Sequence, residues 1–105
     1  MPSNVSRGRS LEYVVRDRLR AEGFVVFRCA GSRPVDLIAI KEGRILLVEC
    51  KTGLRPQVPP SQLSHSLEIS KRVGGTLVLA VRRRHQKIRW FRVTETGISE
   101  LKMFP

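Results

Sequence analysis

Residues 35–51 read VDLIAIKEGRILLVECK. Two runs of aliphatic residues flank Lys-Glu-Gly-Arg, and neither run contains a strand breaker. The Glu42-Gly43 pair suits a two-residue hairpin turn. That turn pairs Lys41 with Arg44, Ile40 with Ile45 and Ile38 with Leu47. The same register sets Asp36 opposite Glu49, and two-residue alternation puts Lys51 on their face. The other face (Val35, Leu37, Ala39, Leu46, Val48, Cys50) is wholly apolar. A chain with this hairpin must build a sheet, and must accommodate two carboxylates and an ammonium at its far end.

Directly opposed carboxylates repel, and burial raises the cost. A hard divalent cation between them turns repulsion into attraction. Mg²⁺ is commonly held by one or two carboxylates together with waters and phosphate oxygens. Lys51, next along the face, is placed to hold or polarise a water that attacks phosphorus. The reading depends on register, because a three-residue turn would rotate Asp36 to the opposite face. The plainer alternative makes Asp36 a loop-end carboxylate and Glu49–Lys51 a salt bridge at the rim.

Around the hairpin the chain alternates clearly. Ser10 is placed to cap a helix with Leu11, Val14, Val15 and Leu19 on one face, ending at Gly23. FVVFRC (24–29) reads as a strand and AGSRP (30–34) as a loop. TGLRPQVPP (52–60) reads as an irregular, proline-rich loop. Pro60 suits the first turn of a helix over 61–73, which Gly74-Gly75 ends. TLVLAV (76–81) and KIRWFRVT (87–94) are strands on either side of the charged turn RRRHQ. The order is α-β-β-β-α-β-β, and the third strand, second helix and fourth strand form a right-handed parallel crossover. The expected fold is α/β, a mixed five-stranded sheet flanked by helices. It makes one domain over 1–105, with residues 1–8 flexible.

The chain has 20 Lys+Arg against 9 Asp+Glu, a formal net charge of +11. Such an excess on so small a globule implies a polyanionic partner, nucleic acid before anionic membrane. Arg7, Arg9, Arg33 and Arg55 are candidate DNA contacts on this ground. Cys29 and Cys50 have no CxxC spacing and read as small apolar side chains rather than a zinc site or disulfide. No apolar run approaches the ~20 residues of a membrane span. The basic N-terminus lacks a signal-peptide core, so a cytoplasmic location is expected.

The segments PVD (34–36) and ECK (49–51) resemble the signature of the PD-(D/E)xK nuclease superfamily. With RGRSLE placing Glu12 in the first helix, GS ahead of Asp36 and Gln62 after the proline loop, residues 6–94 look like the archaeal-type Holliday junction resolvases. The resemblance implies a restriction-endonuclease-like fold. It implies Glu12, Asp36 and Glu49 as the acidic set, with Asp36, Glu49 and the Cys50 carbonyl as metal ligands. Lys51 would activate water, Ser32 would approach the scissile phosphate, Gln62 would hold water or Lys51, and Arg7 would contact the DNA backbone. Mg²⁺, replaceable by Mn²⁺, would be the cofactor. On spacing alone, Glu12 could equally favour a helix dipole, Ser32 serve a turn, and Gln62 be an exposed first-turn residue. The prolines of VPPSQ depart from the family pattern and stiffen the approach to Gln62.

The function expected from the resemblance is resolution of four-way DNA junctions by paired cuts from a homodimer. Another nuclease of the superfamily, acting on flap, branched or linear DNA, is the neighbouring reading. A non-catalytic basic nucleic-acid-binding module is the reading from a different class. Trp90, Phe91, Met103 and Phe104 are either a dimer surface or a closure for the chain's own core.

Overall fold

The computed structural model describes residues 4–53 and 60–104, without the side chains of residues 4–9 and 60–62. The chain runs α1 (Asn4–Ala21), β1 (Val25–Arg28), a 3-10 turn (Ala30–Ser32), β2 (Leu37–Lys41), β3 (Arg44–Gly53), α2 (Pro60–Arg72), β4 (Thr76–Arg83), β5 (Arg89–Thr94) and β6 (Gly97–Leu101). The six strands lie side by side in chain order. Every neighbouring pair is antiparallel except β3 and β4, which α2 joins as a parallel crossover.

The hairpin forms as its residues require. Lys41 pairs with Arg44, Ile40 with Ile45 and Ile38 with Leu47. Glu42 and Gly43 have φ of 48° and 78°, the two positive values that match a tight turn to strand twist. From Leu46 to Cys50 every residue of β3 is buried, because this strand is covered on both faces. On one face α1 lays Leu11, Val15 and Leu19 over Leu37, Ala39, Val48, Val78 and Trp90. On the other, Leu63 and Leu67 of α2 meet Val35, Leu47, Leu77 and Val93.

Gly75 is required by close approach. A Cβ there would lie 2.9 Å from the Ile45 carbonyl oxygen, closer than the packing of α2's exit against β3 permits. Just before it, Gly74 at φ 69° turns the chain out of α2 while the Gly75 amide donates to the Ser70 carbonyl.

Several expectations change. The helix begins at Asn4, so Arg7, Gly8 and Arg9 lie within it, residues 4–8 are helical rather than loose, and Ser10 is not its cap. A glycine inside a helix weakens it by about 1 kcal/mol and does not have to end it. The sheet has six strands rather than five, because a turn at Glu95-Thr96 folds the tail back on β5. Val35 belongs to the α2 side, not to the face of Leu37 and Ala39, since regular pairing with β3 begins only at Leu37. Trp90, Met103 and Phe104 join the α1-side core, with Trp90 and Phe104 edge to face at 5.1 Å. Phe91 packs on the α2 side. Among the described residues no helix is long and apolar enough to cross a membrane.

Candidate active site

Asp36 sits one residue before β2, where the hairpin ladder gives out. Its amide donates to the Val48 carbonyl at 3.1 Å, and its carbonyl accepts from Cys29 at 2.9 Å. Its carboxylate takes over the next ladder position: Oδ2 accepts from the Cys50 amide at 2.7 Å. The side chain is thereby fixed against β3 beside the Cys50 peptide. Burial and the neighbouring carboxylates hold the Cys50 thiol neutral by raising its pKa, so this residue offers the site its backbone.

Glu49 is fully buried on β3. Desolvation first, then the charge of Asp36, pushes its carboxyl up to about 7, with Lys51 opposing and Glu12 reinforcing. Glu12 arrives from α1. Its carboxyl is raised by burial and by the Asp36 carboxylate, with which it shares a hydrogen bond. Three carboxylates and one lysine, from three elements, thus act on one another at the end of the hairpin. Lys51 is half-buried and pairs with Val81 in the parallel ladder.

Arg28, at the end of β1, is a site residue that sequence reasoning missed. Its Nη2 lies 3.2 Å from Glu12 Oε2, and its guanidinium stacks on Tyr13 with 4.9 Å to the ring centroid. The pair joins a helix to a strand sixteen residues on, so no local pattern announces it. The available signal is a basic residue next to last in FVVFRC, two residues before the loop that leads to Asp36.

Ser32 ends the 3-10 turn at φ 54°, half-buried, with its amide donating to the Cys29 carbonyl at 3.0 Å. With Gly31, Arg33, Pro34 and His65 it lines an open cleft of about 450 Å³. Arg33 is exposed there. Arg7 and Arg9 are placed on the first turns of α1 and Gln62 on the first turn of α2, with side chains outside the description. Arg55 lies outside the described residues. A second cleft of about 450 Å³ opens beyond Lys51, lined by Thr52, Gly53, Arg82, Arg83, Arg84, His85 and Gln86.

The donor set fits a hard divalent cation. Its side-chain donors are carboxylate oxygens, and burial, reinforced by the neighbouring Asp36 charge, raises the carboxyls of Glu49 and Glu12. Among the described residues no three His, Cys, Asp or Glu side chains form a complete ligand group. A cation would therefore rest on two carboxylates and take its remaining oxygens from backbone, water and phosphate, as Mg²⁺ does.

A mixed sheet with helices on both faces, carrying Asp on one strand's entry and Glu-x-Lys on the next, defines a restriction-endonuclease-like domain. The family model of archaeal Holliday junction resolvases (Hjc) matches residues 3–102, and the chain belongs to that family. It is 38% identical over 91 residues to the crossover junction endodeoxyribonuclease Hjc of Sulfurisphaera tokodaii, covering 78% of this chain and 63% of that one. With the enzyme of the same name from Methanocaldococcus jannaschii it shares 36% over 78 residues, 72% of this chain and 59% of that one. The chain thus spans about three fifths of the length of these curated relatives. The structure of Hjc from Archaeoglobus fulgidus, a Holliday junction resolvase, superimposes with a TM-score of 0.68 at 20% identity. That match covers 93% of this chain and 85% of that one, and establishes the likeness of fold.

Proposed function

We propose that this chain is a structure-specific endodeoxyribonuclease that resolves four-way DNA junctions as a homodimer by metal-dependent phosphodiester hydrolysis. The observation that carries the reading is the convergence of Glu12, Asp36 and Glu49 with Lys51 at one end of a buried hairpin. Membership of the resolvase family supports the choice of substrate.

Asp36, Glu49 and the Cys50 carbonyl would hold Mg²⁺, or Mn²⁺ in its place. A bound cation supplies Lewis-acid polarisation of the phosphoryl oxygen and makes hydroxide available near neutral pH. The remaining work falls to the chain itself. The Cys50 amide keeps the Asp36 carboxylate oriented. Arg28 tethers Glu12 beside Asp36. Lys51 orients the attacking water and stabilises charge that develops on the phosphate. Ser32 and Arg33 border the cleft beside the site and would meet phosphate oxygens there, with Gln62 contributing from α2. Positive charge from Arg7, Arg9, Arg55 and the rest of the +11 excess attracts the backbone without reading bases.

The test is a cleavage gel with Mg²⁺ on a four-way junction, duplex, flap and single strand. Paired cuts confined to the junction are expected. Preferential cutting of flap or linear duplex would move the chain to another nuclease activity of the same fold. Tight binding without cutting in either metal would make it a binding module.

A further inference from the structure

Ser66 is fully buried on α2, in the middle of a helix where a serine hydroxyl ordinarily turns to solvent or bonds a carbonyl of its own preceding turn. Ser70, one turn on, does the latter, its Oγ donating to Leu67 at 2.7 Å. Ser66 instead leaves its helix, and its Oγ donates to the Pro34 carbonyl at 3.2 Å. Pro34 belongs to the segment between β1 and β2 that carries both Ser32 and Asp36.

That segment is held at its base by the Cys29–Asp36 backbone bond and on the sheet side by the Asp36 amide on Val48. Between these anchors Val35 is buried against Leu63 and Leu67 of α2. The Ser66 hydroxyl is the one side-chain hydrogen bond from α2 to this segment among the described residues. It acts two residues before the carboxylate that must sit beside Cys50.

We propose that Ser66 is a positioning residue of the nuclease site: by pinning the Pro34 carbonyl to α2, it sets the angle at which Asp36 meets its cation and Ser32 meets the phosphate. The proposal rests on the nuclease reading above. Removing the hydroxyl leaves the carbonyl without its donor and lets the segment lift from α2 while both cores stay packed.

The experiment compares Ser66→Ala, Ser66→Thr and the exposed control Ser64→Ala in the full chain. Single-turnover cleavage of a four-way junction is followed against Mg²⁺, junction affinity is measured in Ca²⁺, and amide hydrogen exchange is followed across residues 29–36. For Ser66→Ala the cleavage rate should fall roughly three- to tenfold, the loss expected for one hydrogen bond. Half-saturating Mg²⁺ should rise, affinity should stay within about twofold, and exchange should quicken over 29–36 without quickening in β4 or β5. Ser66→Thr should restore the rate and Ser64→Ala should leave it unchanged. Wild-type rate and Mg²⁺ dependence in Ser66→Ala, or faster exchange spread evenly over the sheet, would overturn the proposal. If the wild type cuts nothing, the nuclease reading fails, whereas the exchange measurement across residues 29–36 still decides whether Ser66 holds the segment.

Discussion

Glu49 brings together burial, charge and chemistry at one atom group. Its carboxyl keeps a proton to about pH 7 in the folded chain against an ordinary 4.5. The folded state therefore binds more protons than the unfolded state between those values. That contribution to stability is complete below about 4.5 and is lost as pH rises through 7. Metal-free wild type should thus lose melting temperature from pH 5 to 8 more steeply than Glu49→Gln, as calorimetry would read it. Added Mg²⁺ should stabilise wild type most at pH 8, where the proton no longer competes. Cleavage should rise over the same interval. Asp36→Asn and Glu49→Gln should each abolish cutting by a hundredfold or more with the fold intact; either variant cutting at wild-type rate would remove the paired-ligand mechanism. At this scale the meeting of Asp36 and Glu49 is legible in the sequence, because a two-residue turn fixes register by arithmetic. The side chain's route is not: Asp36 leaves the ladder and replaces a carbonyl as acceptor for Cys50, and Val35 swings to the α2 side. Such a departure depends on where pairing stops, which hydrophobic alternation does not encode.

The elements are legible where their apolar pattern is strong. β1 to β5, α2, its proline start and its Gly-Gly exit follow from the sequence. β6 does not, because it is an edge strand exposed along almost its whole length. Ile98 and Leu101 are three apart, so no two-residue period marks it. The segment Arg82–Gln86 reads as a charged turn in the sequence, yet Arg82 and Arg83 extend β4 alongside Thr52 and Gly53 of β3. The strand that carries Glu49 and Lys51 thus runs directly into the basic cleft. A DNA strand cut at Lys51 would pass over it. Changing Arg82, Arg83 and Arg84 together to Gln should weaken junction binding and flatten the slope of log affinity against log salt by about 0.9 for each phosphate no longer neutralised. The single-turnover rate at saturating protein should change little. An unaltered salt slope in filter binding would place the DNA on another surface.

Among the described residues the chain offers one such carboxylate–lysine cluster, whereas a four-way junction presents paired strands for cutting. A two-fold dimer matches that symmetry. Trp90, Met103 and Phe104 are spent on the chain's own core, which leaves Val25, Phe27 and Ile40 as exposed apolar side chains on the β1–β2 hairpin. Subunits of wild type exchanged with Glu49→Gln should nick an extruded cruciform in a supercoiled plasmid to open circles, while wild type alone yields linear product. A strictly monomeric protein by light scattering that still makes both cuts in one encounter would defeat the dimer.

The parallel seam between β3 and β4 divides the sheet in a second way, by the order in which it can assemble. β1–β2–β3 and β4–β5–β6 each close through local connections, the longest being residues 29–36, whereas pairing β3 with β4 must first close the chain across residues 54–75. Loop entropy rises with that separation, and long-range pairing slows folding. Leu47 and Leu77 face each other across the seam. In stopped-flow refolding, Leu77→Ala should slow the folding arm, whereas Val26→Ala in the first meander should chiefly quicken unfolding. Until the seam closes, β3 is an open, oily edge, and a chain delayed there is exposed to pairing with another copy before Glu49 is ever enclosed.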